Sequence, residues 1–424
     1  MSALLGCIAD DFTGGTDLAG MLVKSGMRTV QMIGVPERPL PDGIDAVVIA
    51  LKSRTTPVDE AISESLAALR ALQAAGGRQF YFKYCSTFDS TPRGHIGPVA
   101  EALMDALGTD FTIACPAFPA NQRTIYKGYL FVGDVPLNES GMRDHPLTPM
   151  ADANLIRVLQ RQAKRKVGLV DYAVVAKGAS AIAERFSALR QDGCGFAIID
   201  ALSDNDLLEL GAACADLPLV TAGSGVALGL PQNFQRRGLL PENVKADALP
   251  AIEGLRAVIA GSCSTATQRQ VAVMRERHPA LQVLPADLAG GKDVVGEALD
   301  WAAARVAKEP VLIYATATPD AVRAAQADLG VERAGALVEN ALATIAQGLV
   351  RLGVGQLIVA GGETSGAVVK ALGVKGLRIG PEIDPGVPWT ATLPDAGGHP
   401  LALALKSGNF GTPDFFLKAW SRLS

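Results

Sequence analysis

Ile8-Ala-Asp-Asp-Phe-Thr-Gly-Gly-Thr-Asp17 is the stretch on which the reading of the fold turns. It follows an apolar run, Leu4–Ala9, of buried-strand length, and precedes a helix-like run, Leu18–Lys24. Strand, polar turn and helix form the first half of a βαβ unit, and in open α/β sheets such turns lie at the ligand end. Two adjacent carboxylates, two glycines and two threonines suit a polar small molecule. Phosphate, a metal and a substrate hydroxyl all remain open from this stretch alone.

Outward from it the pattern repeats. Candidate strands are Leu4–Ala9, Thr29–Ile33, Ala46–Leu51, Gln79–Lys83 and Phe111–Ala114, with helical patterns at Val58–Ala75 and Ile96–Leu107. Continuous apolar strands alternating with helices predict a mainly parallel sheet covered on both faces. From Cys115 to Met150 the chain is irregular and rich in proline, glycine and aromatic residues, and Tyr126-Lys-Gly-Tyr129 reads as a hairpin turn. Irregular stretches of this length are commonly functional. Alternation resumes through helix Asp152–Arg165, strand Val167–Val170, helix Ala179–Gln191, strand Gly195–Ile199, helix Asp204–Ala215 and strand Leu219–Ala222.

Pro231–Gly254 has three prolines, mixed charges and little periodicity, which marks a domain boundary. The expected organisation is a first domain over 1–232, a linker over 233–254 and a second domain over 255–424. Strands of the second are expected at Arg256–Ala260, Gln282–Leu284, Pro310–Tyr314, Gln356–Ala360, Leu377–Ile379 and Leu401–Leu405, with a long helix between Glu332 and Leu352. The fold class is α/β: two domains, each a mainly parallel sheet with flanking helices, and an active site expected in the cleft between them.

The totals agree. A chain of 424 residues exceeds one ordinary core. With 49% hydrophobic and 19% charged residues it is globular in composition. A net charge of −4 without a basic block argues against nucleic acid as a partner. No basic segment precedes the first apolar run, so no signal peptide is expected. The longest uncharged stretch, Leu217–Gln235, is broken by prolines and glycines, and no membrane span is expected. Six cysteines without a Cys-x-x-Cys pair predict neither a disulfide framework nor a zinc site and point to the cytoplasm.

Several turns could carry chemistry. In Ala360-Gly-Gly-Glu-Thr-Ser-Gly366, glycines would let backbone N–H groups and a helix N-terminus approach a phosphate. It is not a Walker A loop, because Ala367 stands where the lysine would be. The competing reading is a tight strand–helix packing turn. Gly261-Ser-Cys-Ser264 could place Ser262 or Ser264 as a helix cap or as a nucleotide contact. Lys406-Ser-Gly-Asn-Phe-Gly411 reads either as an ordinary turn with Gly408 at positive φ or as a third wall of a nucleotide site.

In the first domain, Lys83-Tyr-Cys-Ser-Thr-Phe-Asp-Ser-Thr-Pro-Arg-Gly94 combines Lys83, Arg93 and Asp89 with hydroxyls including Ser86 and Thr87. That mixture suits a carboxylate and several hydroxyls, the alternative being a solvated loop. Arg54 adds a cation after another strand, and Asn121, Gln122, Arg123, Tyr126 and Lys127 could contribute from the irregular segment. Asp10 and Asp11 would point to opposite faces of a strand, so one is expected as a helix cap and the other as a catalytic group. Asp384 reads as a turn aspartate before proline, with a magnesium role as the alternative. Cys7, Cys115, Cys194 and Cys214 read as core residues, Cys85 and Cys263 as loop residues, and His95 and His145 as packing or substrate-touching residues.

Taken together, Ile8-Ala-Asp-Asp-Phe-Thr-Gly14, Cys85-Ser-Thr-Phe-Asp-Ser-Thr91, Cys115-Pro-Ala-Phe-Pro-Ala-Asn-Gln-Arg-Thr124, Gly128-Tyr-Leu-Phe-Val-Gly133, Gly361-Gly-Glu-Thr-Ser-Gly366 and Lys406-Ser-Gly-Asn-Phe-Gly411 resemble the four-carbon acid sugar kinases, most closely their 3-oxo-tetronate branch. The resemblance spans nearly the whole chain; His95 departs from it, standing where relatives often carry asparagine. It implies an N-terminal domain for the acid sugar, a C-terminal domain for ATP, and transfer of the γ-phosphate to the terminal 4-hydroxyl; phosphoryl transfer adds Mg²⁺ to the expected cofactors. Carried over by motif, Ser262 or Ser264, Gly361, Gly362, Glu363, Thr364 and Gly408 are the expected ATP contacts. Arg54, Lys83 and Arg93 are the candidates for the substrate carboxylate, and Ser86, Thr87 and Asp89 for its hydroxyls. Asp11 is the expected base, with Asp10 second; metal ligands stay unassigned. A threonate or erythronate kinase is the alternative within the family. A dinucleotide-dependent oxidoreductase is disfavoured because no Gly-x-Gly-x-x-Gly follows the first strand. A non-catalytic sugar-acid binding protein would have no need of both an acidic pair and phosphate turns. A homo-oligomer is left open.

Overall fold

A computed structural model describes residues 3–37, 40, 43–143, 148–242, 245–317, 330–393 and 400–423. The chain forms two compact units, Met1–Asp247 and Ala248–Ser424.

In the first unit eight strands lie side by side, all parallel. They are β1 (Leu5–Ala9), β2 (Thr29–Ile33), β3 (Ala46–Ala50), β4 (Gln79–Lys83), β5 (Thr112–Cys115), β9 (Lys166–Val170), β10 (Cys194–Ile199) and β11 (Leu219–Ala222), in the order β2-β3-β1-β4-β11-β5-β10-β9. Strands β6 (Arg123–Tyr126), β7 (Tyr129–Val132) and β8 (Val135–Pro136) form a separate antiparallel sheet. Every residue of β1 is buried. Burial of a leucine or isoleucine side chain contributes about 1.5–3 kcal/mol, and covering β1 on both faces demands the continuous apolar run seen in sequence.

The chain runs from β1 out to β2 and β3 on one side, then crosses to β4 on the other. The order therefore reverses between β1 and β4, the kind of switch point at which open α/β sheets bind ligands beyond the carboxyl ends of their strands. Ala9 is level with Ala50 on one side and Lys83 on the other. The segments leaving β1, β3 and β4 thus start from one line.

Tyr126-Lys-Gly-Tyr129 is the expected hairpin: Tyr126 pairs with Tyr129, and Lys127 and Gly128 have φ of 53° and 77°. Two positive φ values in a two-residue turn define type I′, whose twist matches that of the strands. The turn is gripped by the fully buried Asp200 after β10, whose carboxylate accepts from the backbone N–H groups of Lys127 and Gly128 at 2.8 Å each.

The second unit has β12 (Leu255–Ala260), β13 (Ala280–Gln282), β14 (Val311–Tyr314), β15 (Val354–Ala360), β16 (Gly376–Asp384), β17 (Val387–Thr392) and β18 (Ala402–Lys406). Five of them are parallel, in the order β13-β14-β12-β15-β18; β17 and β16 follow antiparallel. β17 is not among the expected strands, and it holds Pro388, a residue that disfavours a strand interior. It is accommodated because Pro388 pairs with Glu382 between two register shifts. Trp389 on this strand is fully buried, stacks at 5.5 Å from Trp420 and donates to the Ala419 carbonyl at 2.8 Å.

Asp384 closes the turn into β17, as the turn reading expects. Its buried carboxylate accepts from the Thr412 N–H at 2.8 Å and from Lys418, so it braces the C-terminal segment.

Candidate active site

The opening stretch folds differently in one respect from its sequence reading. The helix begins at Phe12 and runs to Lys24, so Gly14 and Gly15 lie in its first turns and not in a loop. Asp11 is the N-cap, its Oδ1 accepting from the Gly14 N–H at 3.1 Å and its Oδ2 from the Thr13 hydroxyl at 2.9 Å.

The division into one cap and one catalytic group does not describe the pair, because Asp10 is committed to a cation. Its carboxylate is clasped by Arg54 through Nε at 2.9 Å and Nη2 at 2.8 Å, a two-point pairing that guanidinium geometry favours. Arg54 Nη2 also reaches Asp11 Oδ1 at 2.8 Å, and Nη1 lies 3.8 Å from Asp89. Lys83 Nζ stands 3.8 Å from Asp11 Oδ1. Burial disfavours the charged form of Asp11, but the Arg54 and Lys83 charges and the bonds from Thr13 and Gly14 outweigh it and hold the carboxyl below its ordinary range. Arg54, likewise buried, is held above its ordinary range by Asp10 and Asp11. Asp11 is the more accessible of the pair, with 27% of its side chain exposed against 9% for Asp10.

The loop after β4 completes this group. Thr87 is buried and its hydroxyl donates to Asp89. Between them Phe88 holds φ of 51° while fully buried against Tyr84, ring centroids 5.3 Å apart. A bulky residue in the left-handed region costs of order 1–3 kcal/mol and persists where its surroundings impose it. Cys85 is pushed up to about 11 by burial, with Asp89 adding to the effect, so its thiol is neutral near neutrality. Ser86 is half-buried, and Arg93 is exposed, with no side-chain contact to the group among the described residues. His95 precedes the helix Ile96–Leu107 without capping it through its side chain; His145 lies outside the described residues.

The second unit brings three glycine turns together, because β12, β15 and β18 are neighbours whose last residues, Ala260, Ala360 and Lys406, are level. A cavity of about 570 Å³ opens beside two of them. Gly261, Ser262, Cys263 and Gly361 to Thr364 line one side; Leu284, Pro285 and Val338 give it an apolar wall. The sequence reading did not single out that wall, since its residues look like ordinary core. Gly361 has φ of 126°, a conformation open to glycine and strained for other residues. Gly362 and Glu363 are exposed and begin the helix Gly362–Ala371, while Thr364 is buried.

Gly408 is not at positive φ, as the turn reading supposed; Gly411, at 84°, holds that conformation. Gly408 is required by close approach: a Cβ there would lie 2.4 Å from Ser262 Oγ. Ser264 caps the helix Thr265–Arg275, accepting from the Thr267 N–H at 3.2 Å, and its hydroxyl donates to the Gly408 carbonyl.

Lys406, quoted in the motif but given no role by the sequence, lies fully buried beneath this turn. Its Nζ donates to the carbonyls of Ser407 at 2.9 Å and Gly408 at 3.0 Å and to Thr267 Oγ1 at 3.1 Å. Peptide planarity then turns the next N–H groups, of Gly408 and Asn409, away from it. Burial brings the Lys406 ammonium down to about 7. It forms no ion pair with a carboxylate among the described residues.

Two family models match the chain. Residues 5–230 match a sugar-binding N-terminal domain and residues 257–416 a nucleotide-binding C-terminal domain. The chain is 63% identical to a 3-oxo-tetronate kinase of Cupriavidus necator, covering 99% of this chain and 97% of the relative, and 62% identical to one of Burkholderia multivorans, covering 98% and 96%. A Haemophilus influenzae structure at 46% identity covers 99% of this chain and 100% of its own with a TM-score of 0.81. A Salmonella typhimurium structure, provisionally described as a tRNA synthase, is 44% identical over 98% of both chains with a TM-score of 0.89. The chain carries both domains and belongs to the four-carbon acid sugar kinase family.

Proposed function

We propose that the chain is an ATP-dependent kinase that phosphorylates the terminal hydroxyl of a four-carbon acid sugar, converting 3-oxo-tetronate to 3-oxo-tetronate 4-phosphate. The observation that carries this reading is the 63% identity, over essentially full length, to a 3-oxo-tetronate kinase. The two sites suit it: an acidic, hydroxyl-lined group at the switch point of one unit, and a glycine-lined cavity with an apolar wall in the other. No helix among the described residues is long and apolar enough to cross a membrane. The cytoplasm, where six unpaired thiols are stable, is the compartment we assign. A net charge of −4 without a basic stretch does not favour a tRNA substrate.

ATP supplies the phosphoryl group. The apolar wall of Leu284, Pro285 and Val338 suits the base, and the Gly361–Thr364 turn with Ser262 suits the phosphates, with Gly408 packed against Ser262. Mg²⁺ would travel with the nucleotide, since it keeps water and phosphate oxygens as most of its ligands; among the described residues no cluster of three ligating side chains converges. On the acceptor side Asp11 is ionised and partly exposed, so it can accept a hydrogen bond from the attacking hydroxyl and orient it. A loose phosphoryl-transfer transition state asks for positioning more than for a strong base, and a carboxyl held this low fits that role. Asp10 keeps Arg54 in place, and the chemistry of Thr87 and Asp89 suits the sugar hydroxyls.

The test is ADP release from ATP by the purified chain with threonate, erythronate and their 3-oxo forms. We expect turnover with a 3-oxo acid to exceed that with the parent acids. ADP release with none of them would sink the kinase reading; preference for threonate or erythronate would move the chain to another branch of the family.

A further inference from the structure

The acceptor site has a charge deficit that points to one more binding residue. Asp10, Asp11 and Asp89 face Arg54 and Lys83, three carboxylates against two cations. Arg54 gives Nε and Nη2 to Asp10 and Asp11, with Nη1 3.8 Å from Asp89, and Lys83 is buried 3.8 Å from Asp11. Arg54 is thereby committed, Lys83 is drawn toward Asp11, and the residual negative charge would repel the carboxylate of an acid sugar. Arg93 is exposed and outside the group.

Arg123 has the opposite condition. It begins β6, and the loop leading to it leaves the carboxyl end of β5, on the same side of the sheet as the segments after β1, β3 and β4. The loop is rigid: Phe118 and Arg123 exchange backbone hydrogen bonds at 2.8 and 3.0 Å, and Ile125 of the same strand bridges to Ala201 after β10. The Arg123 guanidinium makes one hydrogen bond, to the Asn121 carbonyl, and no ion pair among the described residues. Among the described residues its buried Nε has no partner, and neither has the buried side-chain Nδ2 of Asn121. Buried donors in native proteins are nearly always satisfied, so two orphaned donors two residues apart mark a place where an acceptor binds. Burial weakens the hold of Arg123 on its proton and the Asp89 carboxylate works against that, which ties the guanidinium to the Arg54–Asp89 end of the site.

We propose that Arg123, with the side-chain amide of Asn121, receives the carboxylate of the acid sugar, leaving Asp11, Thr87 and Asp89 to its hydroxyl end. This rests on the acid-sugar reading above. A guanidinium and an amide can satisfy both oxygens of a carboxylate, and the added positive charge neutralises the deficit.

The experiment compares Arg123→Gln, Arg123→Lys, Asn121→Ala and Arg93→Gln by tetronate binding in calorimetry and by steady-state kinetics, with Tm measured for each. Arg123→Gln is expected to weaken binding of the acid by at least about tenfold, to erode discrimination against the corresponding neutral tetrose, and to leave KM for ATP unchanged. Arg123→Lys should recover part of the loss, Asn121→Ala should lose less, and Arg93→Gln should behave as wild type. A lowered Tm with unchanged affinity for the acid would overturn the assignment, as would a loss confined to Arg93→Gln. Failure of the wild-type chain to bind any tetronate would overturn the acid-sugar reading itself, and this inference with it.

Discussion

Asp11→Asn lowers turnover by a factor on the order of 10² or more, with ATP affinity unchanged. The substitution isolates chemistry from folding. Asparagine caps a helix about as well as aspartate, so the Gly14 bond at 3.1 Å and the start of the helix at Phe12 can persist. Arg54 retains its two contacts with Asp10. What disappears is the negative charge that accepts the hydrogen bond of the attacking hydroxyl. Because the neighbouring cations hold Asp11 below its ordinary range, it stays ionised near neutrality, and the wild-type rate should show no acid limb there. Measurement of kcat, Tm and nucleotide affinity on one preparation decides the matter; near-normal turnover would remove Asp11 from the mechanism. Asp10→Asn strikes the clasp with Arg54 instead, and its effect should appear first in Tm.

Gly361→Val is the second large effect, and it belongs to the other unit. At φ of 126° an L side chain is strained before any contact is made. The new Cβ would also sit 3.0 Å from Thr364 Oγ1 and 3.1 Å from the Ser262 nitrogen, so the turn must shift. A displacement costing about 2.8 kcal/mol of binding is a factor of about 100 in affinity. We therefore expect KM for ATP to rise by about two orders of magnitude, with tetronate binding intact as the internal control. Unaltered nucleotide affinity would show that the phosphates lie elsewhere.

The parallel sheets were legible because their strands are buried on both faces and their apolar runs are unbroken, as in Leu5–Ala9 and Ala46–Ala50. β17 was hidden by Pro388, whose tolerance depends on a register shift that no local pattern reveals. The sequence could name the charged residues that gather around Arg54, but not their pairing. Arg54 looked like a cation for substrate; only the alignment of β1, β3 and β4 shows it committed to Asp10 and Asp11. The orphaned donors of Asn121 and Arg123 are invisible in a sequence, since an unmet hydrogen bond is a property of packing.

Lys406 has a thermodynamic consequence. A buried ammonium near 7, solvated by Ser407, Gly408 and Thr267, sits on the edge of losing its proton at working pH. A polyanion bound above the Gly408 turn would raise its affinity for that proton. Nucleotide binding would then draw a proton from solution, and ATP affinity should fall as pH climbs above about 7. Calorimetry in buffers of different ionisation enthalpy reads this uptake directly: the apparent binding heat should depend on the buffer for the wild-type chain and cease to do so in Lys406→Met. If the two chains behave alike, Lys406 only shapes the turn. If they differ, the ATP site is also a proton acceptor, and the balance between loaded and empty enzyme becomes sensitive to the acidity around it.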